Sequence, residues 1–382
     1  MSDLKLLFYV APLIIILFWT INISIGAFQK KQLFKLPLIL FFVDSLLAVF
    51  ESGIFYFGEM DLFKTLYVPA VFVSLSMFPL FYIYISSLID NKKFASGLWL
   101  KHLLFPFFNA SVAFVTLVIF MDGAERDLFF HQTLVFKEGA TGIQKFAFYM
   151  DDVFRKIFLV TAIFYYAITD RKIRQHKARL HSYFSNTYEN EITWFPTLRI
   201  SFFLTLISAF VYFSVQRYST LDLWLIPAIS HTLLSIFFWI IGYYGNLQNE
   251  IKLHIPESNS GTDNAAIPNE IFVDIDKKME ECMSTKKLFL NVDLTLPELA
   301  RHIGTNRSYL SRYFNEYLKQ SYSLYVNSKR IEYACKLIKE SDEELVLSTI
   351  YEICGFNSNA SFYRWFKDIC NMSPQKYREK WS

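Results

Sequence analysis

The sequence predicts an all-α chain: a seven-helix transmembrane bundle followed by a small all-α domain with two helix-turn-helix motifs. Three observations carry this. The 382 residues are 53% hydrophobic and only 19% charged, where a soluble chain is about a quarter charged. The hydrophobicity is uneven, with long uncharged runs over residues 1–247 and ordinary globular composition over 250–382. Finally, two short stretches of the polar part repeat each other at a spacing of 52 residues.

The first element is the uncharged run from Leu6 to Phe28, 23 residues with no small-residue cleavage motif after it. It is too long for a signal-peptide core and reads as a retained membrane helix. Six further apolar stretches follow at about 36–57, 65–88, 103–121, 148–169, 197–215 and 223–246. Each approaches the roughly 20 helical residues that a bilayer core demands, because backbone amides there must bond within their own segment. The fifth is the weakest, since Asp151, Asp152, Arg155 and Lys156 crowd its start.

Basic residues orient the bundle. The loops after stretches one, three and five carry eleven (Lys30, Lys31, Lys35; Lys92, Lys93, Lys101; Arg171, Lys172, Arg174, Lys177, Arg179). The N-terminus and the other loops carry six. Lys and Arg gather on the cytoplasmic side, so the expectation is an N-terminus outside and a C-terminus in the cytoplasm. Residues 1–248 form the seven-span domain in this reading. The longest outer loop, about 122–147, is too short for a folded sensor domain.

Asp44 and Glu51 lie seven residues apart on the second stretch, hence on one helix face. Intramembrane carboxylates are costly and turn to the bundle interior or a wet cavity. They form a candidate signal site for an unknown ligand or membrane partner. The alternative is structural pairing, with Asn22, Asn109 or His231 as partners.

Residues 249–268 form a polar, breaker-rich linker, with "HIPESNSGTDNAAIPNE" at its heart. A helix is expected from Pro268 to about Met283. The domain of 269–382 then places helix-turn-helix units at about 295–318 and 346–370. In the repeat, "SYLSRYFNE" parallels "ASFYRWFKD": Leu310 matches Phe362, Arg312 matches Arg364, Tyr313 matches Trp365 and Phe314 matches Phe366. "LARHIG" and "IYEICG" parallel each other upstream, each ending at a turn glycine (Gly304, Gly355). This is helix-turn-helix grammar written twice.

Helical spacing turns Leu310, Tyr313, Phe314 and Tyr317 inward and leaves Arg307, Ser308, Ser311, Arg312 and Asn315 outside. In the second unit Phe362, Trp365, Phe366 and Ile369 turn inward, leaving Asn359, Ser361, Tyr363, Arg364 and Lys367. Short polar side chains with an Arg near a helix start suit base edges in a major groove. The expected DNA-binding residues are Arg307, Ser308, Ser311, Arg312, Asn359, Ser361, Tyr363 and Arg364. The domain is nearly neutral, 17 basic against 16 acidic over 269–382, but residues 300–339 hold eight basic against two acidic. Such segregation provides a phosphate-facing surface. A helix of about 19 residues in "SYSLYVNSKRIEYACKLIKE" joins the units and is about 28 Å long.

In order, "LTLPELARHIGTNRSYLSRYF", "YVNSKRIEYACKLI", "ICGFNSNASFYRWFK" and "MSPQKYR" resemble the DNA-binding domain of AraC/XylS-type bacterial transcription regulators. With the membrane region, the chain is similar to a membrane-anchored subgroup of them. The resemblance implies double-stranded promoter DNA and RNA polymerase as partners, a bacterial cytoplasmic (inner) membrane location, and base reading by Ser308, Ser311 and Arg312 with Ala360, Ser361 and Arg364 as counterparts. A second copy, as a homodimer, would add affinity. Departures from the pattern are Tyr351 where a small residue usually precedes the turn, Lys319 and Asn371 in place of Gly, and Ala360 at a reading position.

No Gly-rich nucleotide loop, HExxH or nucleophile elbow occurs, so neither an enzyme nor a cofactor is expected. Cys282, Cys335, Cys354 and Cys370 form no CxxC pair and read as reduced core thiols. The leading expectation is a membrane-embedded transcription regulator. The alternative is a transporter or channel with a regulatory DNA-binding tail.

Overall fold

A computed structural model describes residues 2–89, 97–131, 141–187, 191–218, 225–249, 251, 268–340 and 347–381. All its regular elements among these residues are helical. The linker expected at 249–268 lies almost wholly outside them. The chain divides into two compact units, Met1–Ile173 with Thr193–Ile251, and Arg174–Ile192 with Lys252–Ser382.

In the first unit, α1 (Ser2–Gln29), α2 (Leu36–Phe57) and α3 (Met60–Ile89) are followed by α4 (Leu104–Phe114), α5 (Gly123–His131), α6 (Gly142–Tyr183), α7 (Phe195–Tyr218) and α8 (Leu225–Leu247). Of α6, the residues to Ile173 belong here. Pro37 starts α2, where a missing N–H costs nothing, and Gly58 ends it in the left-handed conformation at φ 82°. α1 packs on α2 and α8, α2 on α3, α3 on α4, and α7 on α8. Close approach of α1 and α8 requires Gly242, where a Cβ would overlap the Trp19 indole. Large apolar side chains such as Ile14, Ile21, Phe107, Ile163, Ile200 and Trp239 remain exposed on these helices, as on lipid-facing surfaces.

Among the described residues, six helices are long and apolar enough to cross a membrane: Leu6–Gln29, Leu33–Phe55, Met60–Ile89, Trp99–Ile119, Phe195–Tyr212 and Leu225–Leu247. The expected count was seven. The missing stretch is helical, inside the 42-residue α6, but its charged residues leave uncharged sequence only over 157–169. Those charges are paired within the unit. Arg155 donates to Asp151 at 3.1 and 3.2 Å, Lys156 to Asp152 at 2.8 Å, and the Tyr67 hydroxyl to Asp151 at 2.9 Å.

The second unit contains α9 (Asn269–Ser284), α10 (Leu296–Ile303), α11 (Arg307–Arg312), α12 (Tyr322–Glu340), α13 (Leu347–Ile353), α14 (Asn359–Cys370) and α15 (Pro374–Trp381). It has two apolar cores. The first joins Phe272, Ile275 and Met279 of α9 to Leu299, Leu310, Phe314 and Val326. The second joins Ile331, Ala334 and Ile338 to Ile350, Phe356, Phe362 and Phe366. α12, 19 residues long, serves both, its first half in one core and its second in the other.

Tyr317 departs from its expected inward place. After Arg312 the helix widens into a π turn over Tyr313–Tyr317, with the Leu318 amide bonded to the Tyr313 carbonyl at 2.9 Å. The wider turn shifts the phase, so Tyr317 is 40% exposed while still stacking on Tyr313.

Candidate nucleic-acid interface

Each helix-turn-helix is set by local chemistry. At the start of α10 the Glu298 carboxylate accepts from the Thr295 amide at 2.9 Å, one arm of a capping box. Gly304, at φ 79°, ends α10. The Asn306 side chain then accepts from the Tyr309 amide at 2.8 Å and starts α11. The second unit repeats this with Gly355 at φ 80° and a Ser358 cap that accepts from the Ser361 amide at 3.3 Å. Lys319 and Asn371, which stand where the family resemblance suggests Gly, both adopt positive φ, 54° and 55°. Tyr351, where a small residue was expected to be needed, lies half-buried against the second core and bonds Glu352 through its hydroxyl. It fits by lying at the core's edge, whereas Ala300 is buried.

On α11, Ser308 is exposed and Ser311 half-exposed, with its Oγ accepting from Asn315 at 3.4 Å. Arg312 makes a two-pronged pair with Glu316 one turn on, Nε–Oε1 2.8 Å and Nη2–Oε2 3.1 Å. This pair holds the exposed Glu316 carboxyl below its usual range. The Arg307 guanidinium lies 5.0 Å from the Tyr183 ring.

On α14, Asn359 and Ala360 are exposed, and Tyr363 and Arg364 half-exposed. Ser361 is not outside. It is fully buried, and its Oγ has no hydrogen-bond partner among the described residues. The reason is periodicity: Ser361 lies one turn before Trp365 and so falls on the stripe that faces inward with Phe362 and Phe366.

The segment Arg174–Ile192 is absent from the sequence-based picture of this domain, yet it belongs to the same compact unit. Phe184 makes an antiparallel bridge to Thr295. The Ser185 hydroxyl donates to the Leu294 carbonyl at 2.9 Å, and the Asn186 amide to the Val292 carbonyl at 2.6 Å. Beneath them lies Arg330, 0% exposed. Its Nε donates to Phe289 O at 2.6 Å and its Nη2 to Asn291 O and Ser185 Oγ at 2.7 and 3.2 Å. Its Nη1 donates to Asn186 Oδ1 and Asn327 Oδ1 at 3.2 and 3.1 Å. All five N–H groups are thus filled by neutral acceptors, the condition for burying a guanidinium. Burial lowers its pKa to about 10, leaving it charged at neutral pH. Arg330 had counted toward the basic, phosphate-facing surface. Burial removes it from that role.

Glu191 sits at the other end of this segment. It accepts from Thr187 Oγ1 at 2.7 Å and lies 2.8 Å from His181 Nε2, 3.4 Å from Lys177 Nζ and 3.1 Å from Arg364 Nη2. Burial alone would raise this carboxyl. The hydrogen bonds from His181 and Thr187 and the charges of His181 and Arg364 outweigh it and hold the group far below the usual carboxylate range. The His181 ring also stands edge-on to Trp365, 6.1 Å between centroids. No periodicity or motif in the sequence pointed to the Glu191–Arg364 and His181–Trp365 contacts, because they join residues more than a hundred positions apart.

In the first unit, Asp44 accepts from the Ser76 hydroxyl. Glu51 lies within electrostatic range of Asp151 and Arg155. The expected structural partners are otherwise engaged: Asn22, Asn109 and His231 each bond a backbone carbonyl of their own helix. Of the four cysteines, all free, Cys335 and Cys370 approach to 3.7 Å.

Comparison with known proteins matches residues 299–380 to a family described as a helix-turn-helix domain. An uncharacterized HTH-type transcriptional regulator of Staphylococcus aureus is 35% identical over 103 residues, 27% of this chain and 14% of that protein. The regulatory protein PocR of Salmonella typhimurium is 28% identical over 105 residues, 28% of this chain and 34% of that protein. The similarity thus spans about one seventh of the length of the first of these relatives and a third of the second. No solved structure matches the chain.

Proposed function

We propose, from the premise that residues 299–380 form a helix-turn-helix domain of the AraC type, that the chain is a membrane-embedded transcription regulator. In this reading the tail binds promoter DNA through both units and works with RNA polymerase. The observation that carries it is the doubled geometry: two capped helices, each following a left-handed glycine, on separate cores joined by α12. Ser308, Ser311, Arg312, Asn359, Tyr363 and Arg364 are the proposed contacts, with Arg307 at the edge. Ser361, being buried, stays out.

We assign residues 1–248 to seven spans, counting α6, and 249–268 to a tether. Internal pairing of Asp151, Asp152, Arg155 and Lys156 supports a crossing by α6, since paired charges lower the cost of entering lipid. Two candidate spans lie between Ile192 and Lys252, so both pieces of the second unit emerge on one side of the bilayer. The basic residues 171–179 support the cytoplasm as that side. A cleft lined by Tyr67, Asn109, Thr116 and Asp151 among apolar side chains supports a sensing role for the bundle rather than anchoring alone.

Genome-wide occupancy of the full-length protein tests the reading. Arg312→Ala and Arg364→Ala should each weaken binding by about 1–3 kcal/mol and relax one base position. Unchanged footprints in both variants would refute the assignment.

A further inference from the structure

We infer that residues 177–187 and Glu191 act as a built-in competitor of DNA, in which the Glu191 carboxylate takes on Arg364 the place that a nucleic-acid acceptor would occupy. The inference rests on the DNA-contact reading of Arg364 and adds to it a control that the reading does not contain.

Two kinds of contact hold the segment. Around Ser185 and Asn186 they are buried and involve no carboxylate, reaching the Arg330 guanidinium, the Leu294 and Val292 carbonyls and the Asn327 amide. This is a seat, insensitive to salt because no carboxylate takes part. At its two flanks the same segment engages one proposed contact residue from each helix-turn-helix: Tyr183 lies against Arg307, and Glu191 against Arg364. Within eight positions of chain it therefore reaches both recognition helices.

The Glu191 end is built for charge. The carboxylate is almost wholly buried, its side chain 4% exposed, and is held ionised by Thr187 and His181 as well as by Arg364. Arg364 therefore meets a fixed anion, and a base edge or phosphate must displace it or bind beside its negative charge.

The test uses the full chain in lipid nanodiscs, with sheared genomic duplex DNA as the probe and fluorescence anisotropy as the readout. Glu191→Gln keeps the size of the side chain but removes its charge and turns one acceptor oxygen into an NH2 donor. It should bind duplex DNA roughly tenfold more tightly, the scale of one charge-assisted hydrogen bond. Glu191→Asp, which keeps the charge, should bind close to the parent protein. Glu191→Gln combined with Arg364→Ala should bind no more tightly than Arg364→Ala alone. Unchanged or weaker binding by Glu191→Gln, in a preparation where Arg312→Ala and Arg364→Ala do weaken it, overturns the inference and makes Glu191 a positioning residue for Arg364. If neither arginine variant weakens binding, the DNA-contact reading itself fails and the inference falls with it.

Discussion

Arg330 and Arg364 show how little a residue's type says about its work. Both counted as basic residues of a DNA-binding domain, yet one is sealed in a shell of carbonyls and amides and the other is half-exposed against Glu191. Arg330 is the better residue for a test of stability. Lys in its place keeps the charge but supplies three donors from one point instead of five in a planar fork. Buried acceptors then go unfilled, at a cost of about 3 kcal/mol. Urea unfolding of the second unit of Arg330→Lys, followed by hydrogen exchange in the full chain, should show this loss. A change within the scatter of surface substitutions would mean that water refills the shell. Leu310, Phe314, Phe362 and Phe366 were legible in the sequence because helical spacing alone sorts them inward. Ser361 was legible too, one turn ahead of Trp365, but its polar type argued for the outside.

Among elements, the two turns look alike in sequence and differ in surroundings. Gly304 and Gly355 share positive φ, 79° and 80°. A Cβ on Gly304 would meet nothing within 4 Å, whereas on Gly355 it would lie 2.6 Å from the Leu290 carbonyl oxygen. Gly304→Ala should thus cost only the left-handed backbone penalty, about 1–2 kcal/mol. Gly355→Ala should cost clearly more, since a backbone carbonyl must also move. Thermal melts of the two variants side by side check the order, and equal losses would show that the loop at Leu290 yields freely. The doubled motif was readable from its 52-residue spacing. The π turn at Tyr313–Tyr317 was not, because its apolar spacing matches that of an ordinary helix.

For the whole molecule, under the proposed membrane topology, the side on which the N-terminus lies turns on α6 alone. With α6 counted, seven crossings separate the N-terminus from the tail; without it, the six apolar helices put both on one side. Reporter fusions decide this: a fusion after Leu247 should read cytoplasmic and one at the N-terminus external. Both on the same side would remove α6 from the spans. The placement of the tail beside residues 174–192 is independent of this outcome, since two candidate spans between them would return the chain to the face it left.

Composition and periodicity by themselves determined the helical class, the long apolar helices, the polar domain and its two helix-turn-helix units, because each depends on the pattern within one stretch of chain. The tertiary structure alone decided that the loop before Ile192 belongs to the tail's unit, that Arg330 is its buried seat, and that Glu191 holds Arg364. These depend on which hydrogen-bonding groups meet across more than a hundred residues, and no local pattern records such a meeting.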